Sequence, residues 1–281
     1  MTAVRFSRPE DIPVLRELWE LAFGDSGAYM DNFFHTYYRP GRMLVLEEDG
    51  AVRAMTAWFD TDFAIPGKGA FRAAYLYAVA THPDHRGQGL CGRLLAWADD
   101  HFRTLHIPAV TTVPATPSLH NFFGANGFRE CFCHSEVTIA PCEVTAPCTL
   151  TPISTAEYGR LREEFLARRA HIFLPEDAIR YQQGCSRISG GELYAVDCPS
   201  GRGILCAEGM ENGTLLVKEL LGQPSACEEI ARNLHATLPG FSGICRFPGT
   251  DVPFGMLKWL DKSRADVWNW DNFAYLGLAF D

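Results

Sequence analysis

The chain has 281 residues, of which 47% are hydrophobic and 21% charged, the balance of a folded globular protein and outside the range of a disordered one. Its 25 basic and 34 acidic residues give a formal charge of −9 spread over both halves, so the sequence predicts no nucleic-acid partner and mildly favours a cationic small molecule or peptide. The charged N-terminus is unlike a secretory leader and no apolar run reaches the roughly 18 residues of a membrane span, so a cytoplasmic protein with no membrane partner is expected.

The length suits two domains of ordinary size. The ten cysteines are scattered and read as reduced core thiols. Cys131-x-Cys133-His134 on a strand turns both thiols to one face and the imidazole to the other, so buried cysteine is preferred there over a metal site.

In chain order, Ala3–Phe6 reads as a strand and Ser7-Arg-Pro-Glu10 as a capping box, followed by helical spacing of Ile12, Leu15, Leu18, Trp19, Ala22 and Phe23. The aromatics Phe33, Phe34, Tyr37, Tyr38 and, further on, Trp58 are read as divided between core and an acceptor pocket. Strands at 43–47, 52–59 and 73–81, separated by Asp49-Gly50 and Pro66-Gly67, form an antiparallel meander. A helix from Leu90, a strand at 109–113, a helix at 118–125 and a strand at 128–139 complete a first domain, residues 1–140. Two Ala-Pro-Cys repeats mark a linker at 141–151.

Residues 152–281 then start over. A strand at 149–153 leads to a second capping box, Ser154-Thr-Ala-Glu157, and a helix through Leu161 and Leu166. Strands follow at 192–196, 203–208 and 215–221, then a helix at 226–236, a strand at 243–247 and closing strands at 254–260 and 275–280. The expected fold class is α/β with mixed sheets, in two copies of one fold.

The chemistry concentrates at Tyr75-Leu-Tyr-Ala-Val-Ala-Thr-His-Pro-Asp-His-Arg-Gly-Gln-Gly-Leu-Cys-Gly92, a strand running through a polar turn into a Gly-rich helix entry. Glycines at a helix N-terminus let backbone amides approach a ligand, and those amides with the helix dipole favour a pyrophosphate. Walker and Rossmann forms do not fit: there is no Gly-Lys-Ser/Thr ending, and the preceding strands are a meander.

The stretch Ala78 to Cys91 resembles the acyl-CoA signature of the GNAT superfamily of N-acetyltransferases, Gln/Arg-x-x-Gly-x-Gly/Ala. Arg86 and Gly89 match it, with Cys91 in the last small position. Pro114-Ala115 and Phe122-Phe-Gly-Ala-Asn-Gly-Phe128 extend the likeness. The resemblance implies acetyl-CoA as co-substrate, with backbone groups of Val79 and Thr81 on the pantetheine arm. It further implies that amides from Arg86 through Gly87, Gln88, Gly89, Leu90, Cys91 and Gly92 hold the pyrophosphate. The acceptor it implies is a primary amine of a small molecule or peptide, attacking the thioester directly.

The second half lacks the loop at the equivalent place, Glu219-Leu-Leu-Gly-Gln-Pro-Ser-Ala-Cys227. It reads as a degenerate copy, similar to the tandem enhanced intracellular survival family without its third domain. Where the resembling family commonly has a tyrosine acid, this chain has Phe123. Tyr77, or failing it Tyr75, is the expected proton donor, with the Asp281 carboxylate a remoter base. The alternative function is an acyl-CoA sensor without turnover. A monomer or small homo-oligomer is expected.

Overall fold

Alternation along the strands and 3.6-residue periodicity along the helices are both realised in the computed structural model, which describes residues 2–139, 148–209, 214–237 and 242–280. Strands β1 (Thr2–Phe6), β2 (Met43–Glu48), β3 (Ala51–Ile65) and β4 (Gly69–Thr81) form the antiparallel series. Helices α1 (Ile12–Phe23) and α2 (Gly27–Asn32) and a π-helical turn at Phe33–Tyr37 lie between β1 and β2. After β4 come α3 (Leu90–Thr104), β5 (Ala109–Thr112), α4 (Pro117–Ala125) and β6 (Arg129–Ile139). The step from β4 to β5 is parallel, with α3 as the crossover.

The second half runs β7 (Thr149–Pro152), α5 (Thr155–Leu166), β8 (His171–Phe173), α6 (Glu176–Ile188), β9 (Glu192–Cys198), β10 (Gly201–Gly209), β11 (Leu215–Gly222), α7 (Pro224–Thr237) and β12 (Gly243–Trp259). Strands β9, β10 and β11 are antiparallel, and β11 steps in parallel to β12 across α7, the same order as β2 through β5. Much of the span read as a linker lies outside the described residues, and β7 begins inside it.

Three expectations change. The strands expected at 243–247 and 254–260 are one strand, β12, and this strand joins the halves. Its start pairs with β11, its end pairs with β5 from Met256–Thr112 to Trp259–Ala109, and β6 pairs with it from Gly243 to Phe247 and again from Val252 to Leu257. One sheet therefore extends β1-β2-β3-β4-β5-β12-β11-β10-β9-β7. Residues 275–280 form no strand and are held by isolated bridges, Phe132–Ala274 and His171–Tyr275. The first capping box is displaced by one residue: Asp11 accepts from the Arg8 amide at 2.7 Å, while Ser7 is buried with its hydroxyl 3.1 Å from that of Tyr38. At the second box Ser154 caps α5 as expected, the Glu157 amide donating to its Oγ at 3.2 Å.

Both faces of the first sheet are covered. Ala74 and Leu76 of β4 pack with Leu90, Leu94, Leu95 and Phe102 of α3, while Ala73 and Tyr75 point to the opposite face. There α1 and the second half's Tyr158, Ile179 and Tyr181 complete a shared core. Helix α6 approaches α2 closely at Gly184, where an added Cβ would collide with the Asn32 side chain; Asn32 in turn donates to the Tyr181 carbonyl at 2.9 Å. Lys258 of β12 pairs with Asp99 of α3. Among the described residues, no helix is long and apolar enough to cross a membrane.

Candidate active site

Strands β4 and β5 pair only from Ala73–Ala109 to Leu76–Thr112, after which β5 ends and β4 continues to Thr81. The parting leaves the β5-facing edge of residues 77–81 without a ladder partner. On its other side β4 bulges. Its register against β3 shifts between Tyr77 and Ala80, and Ala78 takes a φ of 51°, a backbone state that non-glycine residues seldom adopt. Strain and free peptide edges thus coincide at one point, a combination that clusters where backbone is built to meet a ligand.

A cleft of about 790 Å³ opens there. It is bordered by Tyr75 through Thr81, by Thr112 to Ala115 at the end of β5, and by Leu119, Phe122 and Phe123 of α4. At one end lies the entry to α3. Gly87 and Gly89 have φ of 76° and 75°, and Gly89 is the residue before the first helical turn. No side chain caps that turn, so its amides and the positive end of the helix dipole face the cleft.

Arg86 is exposed and spans the loop, donating from Nε to the Thr81 carbonyl at 3.2 Å. Among the described residues it forms no ion pair with a carboxylate, so its charge is available to a phosphate. Leu90 is buried and anchors the helix, and Gly92 borders the cleft. Burial pushes the Cys91 thiol up to about 12, so Cys91 acts here as a small neutral side chain in the cleft wall. The Gln88 side chain does not border the cleft; its amide turns to the Asp84 carbonyl at 3.5 Å.

At the other end are Trp19, Ala22, Phe23, Asp25, Tyr77 and Phe280. Helix α1 stops at Gly24 in the left-handed conformation, which turns Asp25 back so that the Trp19 indole donates to its carboxylate at 2.7 Å. Tyr77 meets Tyr181 of α6 hydroxyl to hydroxyl at 2.8 Å. Burial holds the Tyr77 hydroxyl well above the ordinary tyrosine range; the Cys185 thiol adds to this and the Tyr181 hydrogen bond opposes it. Tyr75 is almost fully buried, its ring stacked on Phe280 at 5.6 Å between centroids. The alternation expected along β4 is observed, since Tyr75 and Tyr77 both pack with the core shared by the two halves.

The aromatics that the sequence left divided between core and acceptor pocket lie away from the cleft. Phe33, Tyr37, Tyr38 and Trp58 are buried in the core, and neither they nor Phe34 border the cleft. Its aromatic wall comes instead from Trp19, Phe23, Tyr77, Phe122, Phe123 and Phe280. Nothing in the sequence singles out Tyr181 or Asp25: Tyr181 sits on α6, absent from the expected elements, and Asp25 reads in sequence as one more acid after a helix. Asp281 lies outside the described residues.

Residues 3–128 match a family model described as an acetyltransferase (GNAT) domain. No curated protein matches the chain. Among solved structures, the chain is similar to a probable N-acyltransferase of Enterococcus faecalis, at 15% identity and a TM-score of 0.69 over 92% of this chain and 73% of that one. It is likewise similar to a GCN5-related N-acetyltransferase of Anabaena variabilis, at 15% identity and a TM-score of 0.71 over 93% and 73%. Eis1 of Mycobacterium abscessus superposes with a TM-score of 0.65 at 14% identity, over 93% and 74%. The fold is thus that of acetyltransferases along nearly the whole chain, and the domain match marks the protein as an acyltransferase.

Proposed function

We propose that the protein is an N-acetyltransferase that takes acetyl-CoA in the cleft between β4 and β5 and passes the acetyl group to a primary amine. The observation that carries this reading is the coincidence in one cleft of three features: the parted strands, the bulge at Ala78, and the uncapped entry to α3 at Gly89. The amides of residues 87–92 and the Arg86 guanidinium suit a pyrophosphate. The free edge of β4 around Val79 and Thr81 suits the amide-bearing pantetheine arm, placing the thioester near Tyr77 and Ala78. Peptide N–H groups at the bulge would stabilise the oxyanion that forms on the thioester carbonyl.

The acceptor reacts as the neutral amine. Its lone pair forms the new C–N bond, the C–S bond breaks with its electron pair passing to sulfur, and the nitrogen gives up its extra proton to water. Tyr77 donates its hydroxyl proton to the departing sulfur and recovers one from solvent. Phe123, which borders the cleft where the resembling family commonly keeps a tyrosine, carries no proton to give. Tyr77 is preferred over Tyr75 because its hydroxyl is already placed by Tyr181, whereas the Tyr75 ring is covered by Phe280.

A donor whose pKa is raised stays protonated up to that value and is lost only above it. The kcat profile should therefore show no falling limb below about pH 10, the ordinary tyrosine value. Tyr77→Phe should lower kcat by about 10²-fold, the lower range of general-acid contributions. A falling limb centred below pH 9 in the wild type, or an unchanged kcat in Tyr77→Phe, would remove Tyr77 from this role.

The second half is proposed to be a degenerate copy of the first. At the equivalent place β11 itself carries Glu219, buried against Arg162, and α7 opens on Pro224 directly after the strand, without a glycine loop. Its roles are to supply β12 to the sheet and, through Tyr181, a hydrogen-bond partner for the Tyr77 hydroxyl. Calorimetry with acetyl-CoA should give one site per chain, and the complex should melt at a higher temperature by mass action. Two equal sites per chain would contradict it.

A further inference from the structure

Among the described residues, the end of the cleft opposite α3 carries one carboxylate in an otherwise largely apolar wall. Ala22, Phe23, Tyr77 and Phe280 present carbon to the cavity, and Phe23 is 46% exposed, a large apolar side chain left uncovered at the cleft mouth. Among the described residues bordering the cleft, Asp25 is the only acid, and the only guanidinium, Arg86, lies at the opposite end, beside the entry to α3. The Asp25 carboxylate is fixed by Trp19, whose ring lies 5.4 Å from that of Tyr77, and its charge acts on the Tyr77 hydroxyl.

From this arrangement we propose that the acceptor is a monocationic primary amine carried on an aromatic or alkyl group, its ammonium attracted by Asp25 and its apolar body received by Phe23, Tyr77 and Phe280. The inference rests on the acetyltransferase reading and narrows it. One carboxylate balances one ammonium. A second ammonium, as on a polyamine, would enter an apolar wall unpaired, and the carboxylate of a free amino acid would meet Asp25 with like charge. Aromatic faces add attraction for a cation held near them. Sugar amines would leave several hydroxyls without partners against the same wall. Asp25 thus recruits the charged form, and deprotonation as the amine moves past it to the thioester releases the nucleophile.

Two measurements on the full chain test this. In the first, calorimetry compares 2-phenylethylamine with 2-phenylethanol, of nearly the same shape but uncharged. Wild type should bind the amine about tenfold more tightly, and Asp25→Asn, which still offers the indole an acceptor oxygen, should bind the two alike. In the second, thiol release from acetyl-CoA is followed with 2-phenylethylamine, hexylamine, spermidine, glucosamine and glycine. The first two should exceed the others about tenfold in kcat/KM, with Asp25→Asn raising KM for 2-phenylethylamine and leaving the acetyl-CoA Kd unchanged. Equal binding of amine and alcohol by the wild type, or a preference for spermidine, glucosamine or glycine, overturns the proposal. Charge-dependent amine binding without any acetyl-CoA binding would keep the amine site and remove the acetyltransferase reading instead.

Discussion

Gly89→Glu is expected to lower acetyl-CoA affinity by at least about 100-fold, roughly 2.7 kcal/mol, while the protein keeps its fold. The argument has two parts that separate experimentally. The φ of 75° at Gly89 is a left-handed conformation in which any Cβ costs about 1–2 kcal/mol, so some strain accompanies every substitution there. The space around that Cβ is open, with no atom within 4 Å, so no core contact is disturbed. What the glutamate adds is a negative charge at the helix end whose amides and dipole await a phosphate. Gly89→Ala carries the backbone strain without the charge and should fall between the two. Calorimetry on all three proteins, with circular dichroism to confirm the fold, settles it: a Glu variant that binds as well as the Ala variant would mean that no phosphate approaches α3.

The geometry of the proposed phosphate end is legible in sequence because it is made of contiguous backbone. Glycine is required where φ is positive, so Gly87 and Gly89 announce their own geometry, and the strand–turn–helix order around them follows from periodicity. The proposed acceptor end is not, because its parts come from α1, β4 and the last described residues, with α6 behind Tyr77, brought together only by the tertiary fold. Tyr181 is 104 positions from the Tyr77 hydroxyl it meets. The aromatics at 33–38 could not be divided between core and pocket from sequence for a related reason: composition marks a residue as large and apolar but not which side of the sheet it fills. The joining of β12 was hidden in the same way. Its two ends look like separate strands across Phe247-Pro-Gly-Thr250, and only the pairing of its length with β6 makes them one.

Phe280 reaches the cleft because the segment before it is tied down, and the tie is a buried ion pair. Arg162 and Glu219 are both essentially inaccessible, 3.1 Å apart, with the Tyr158 hydroxyl donating to the same carboxylate. The rest of the Arg162 guanidinium is spent on backbone. One nitrogen donates to the Ile172 carbonyl at 2.7 Å and another to that of Leu276 at 2.8 Å, clamping β8 to the final segment four residues before Phe280. A pair so deep contributes little net stability over a well-packed apolar substitute, yet removing one partner strands the other charge. Arg162→Met should therefore cost about 3–5 kcal/mol in urea unfolding, and Arg162→Met/Glu219→Leu should recover part of that loss. With the clamp gone, Phe280 should leave Tyr75 and the cleft wall. Acceptor KM is then expected to rise while acetyl-CoA affinity, set at the α3 end, stays close to wild type. An Arg162→Met protein within about 1 kcal/mol of wild type would show that the carboxylate finds other partners. A loss of stability that leaves acceptor KM unchanged would show that the final segment holds its place without the clamp.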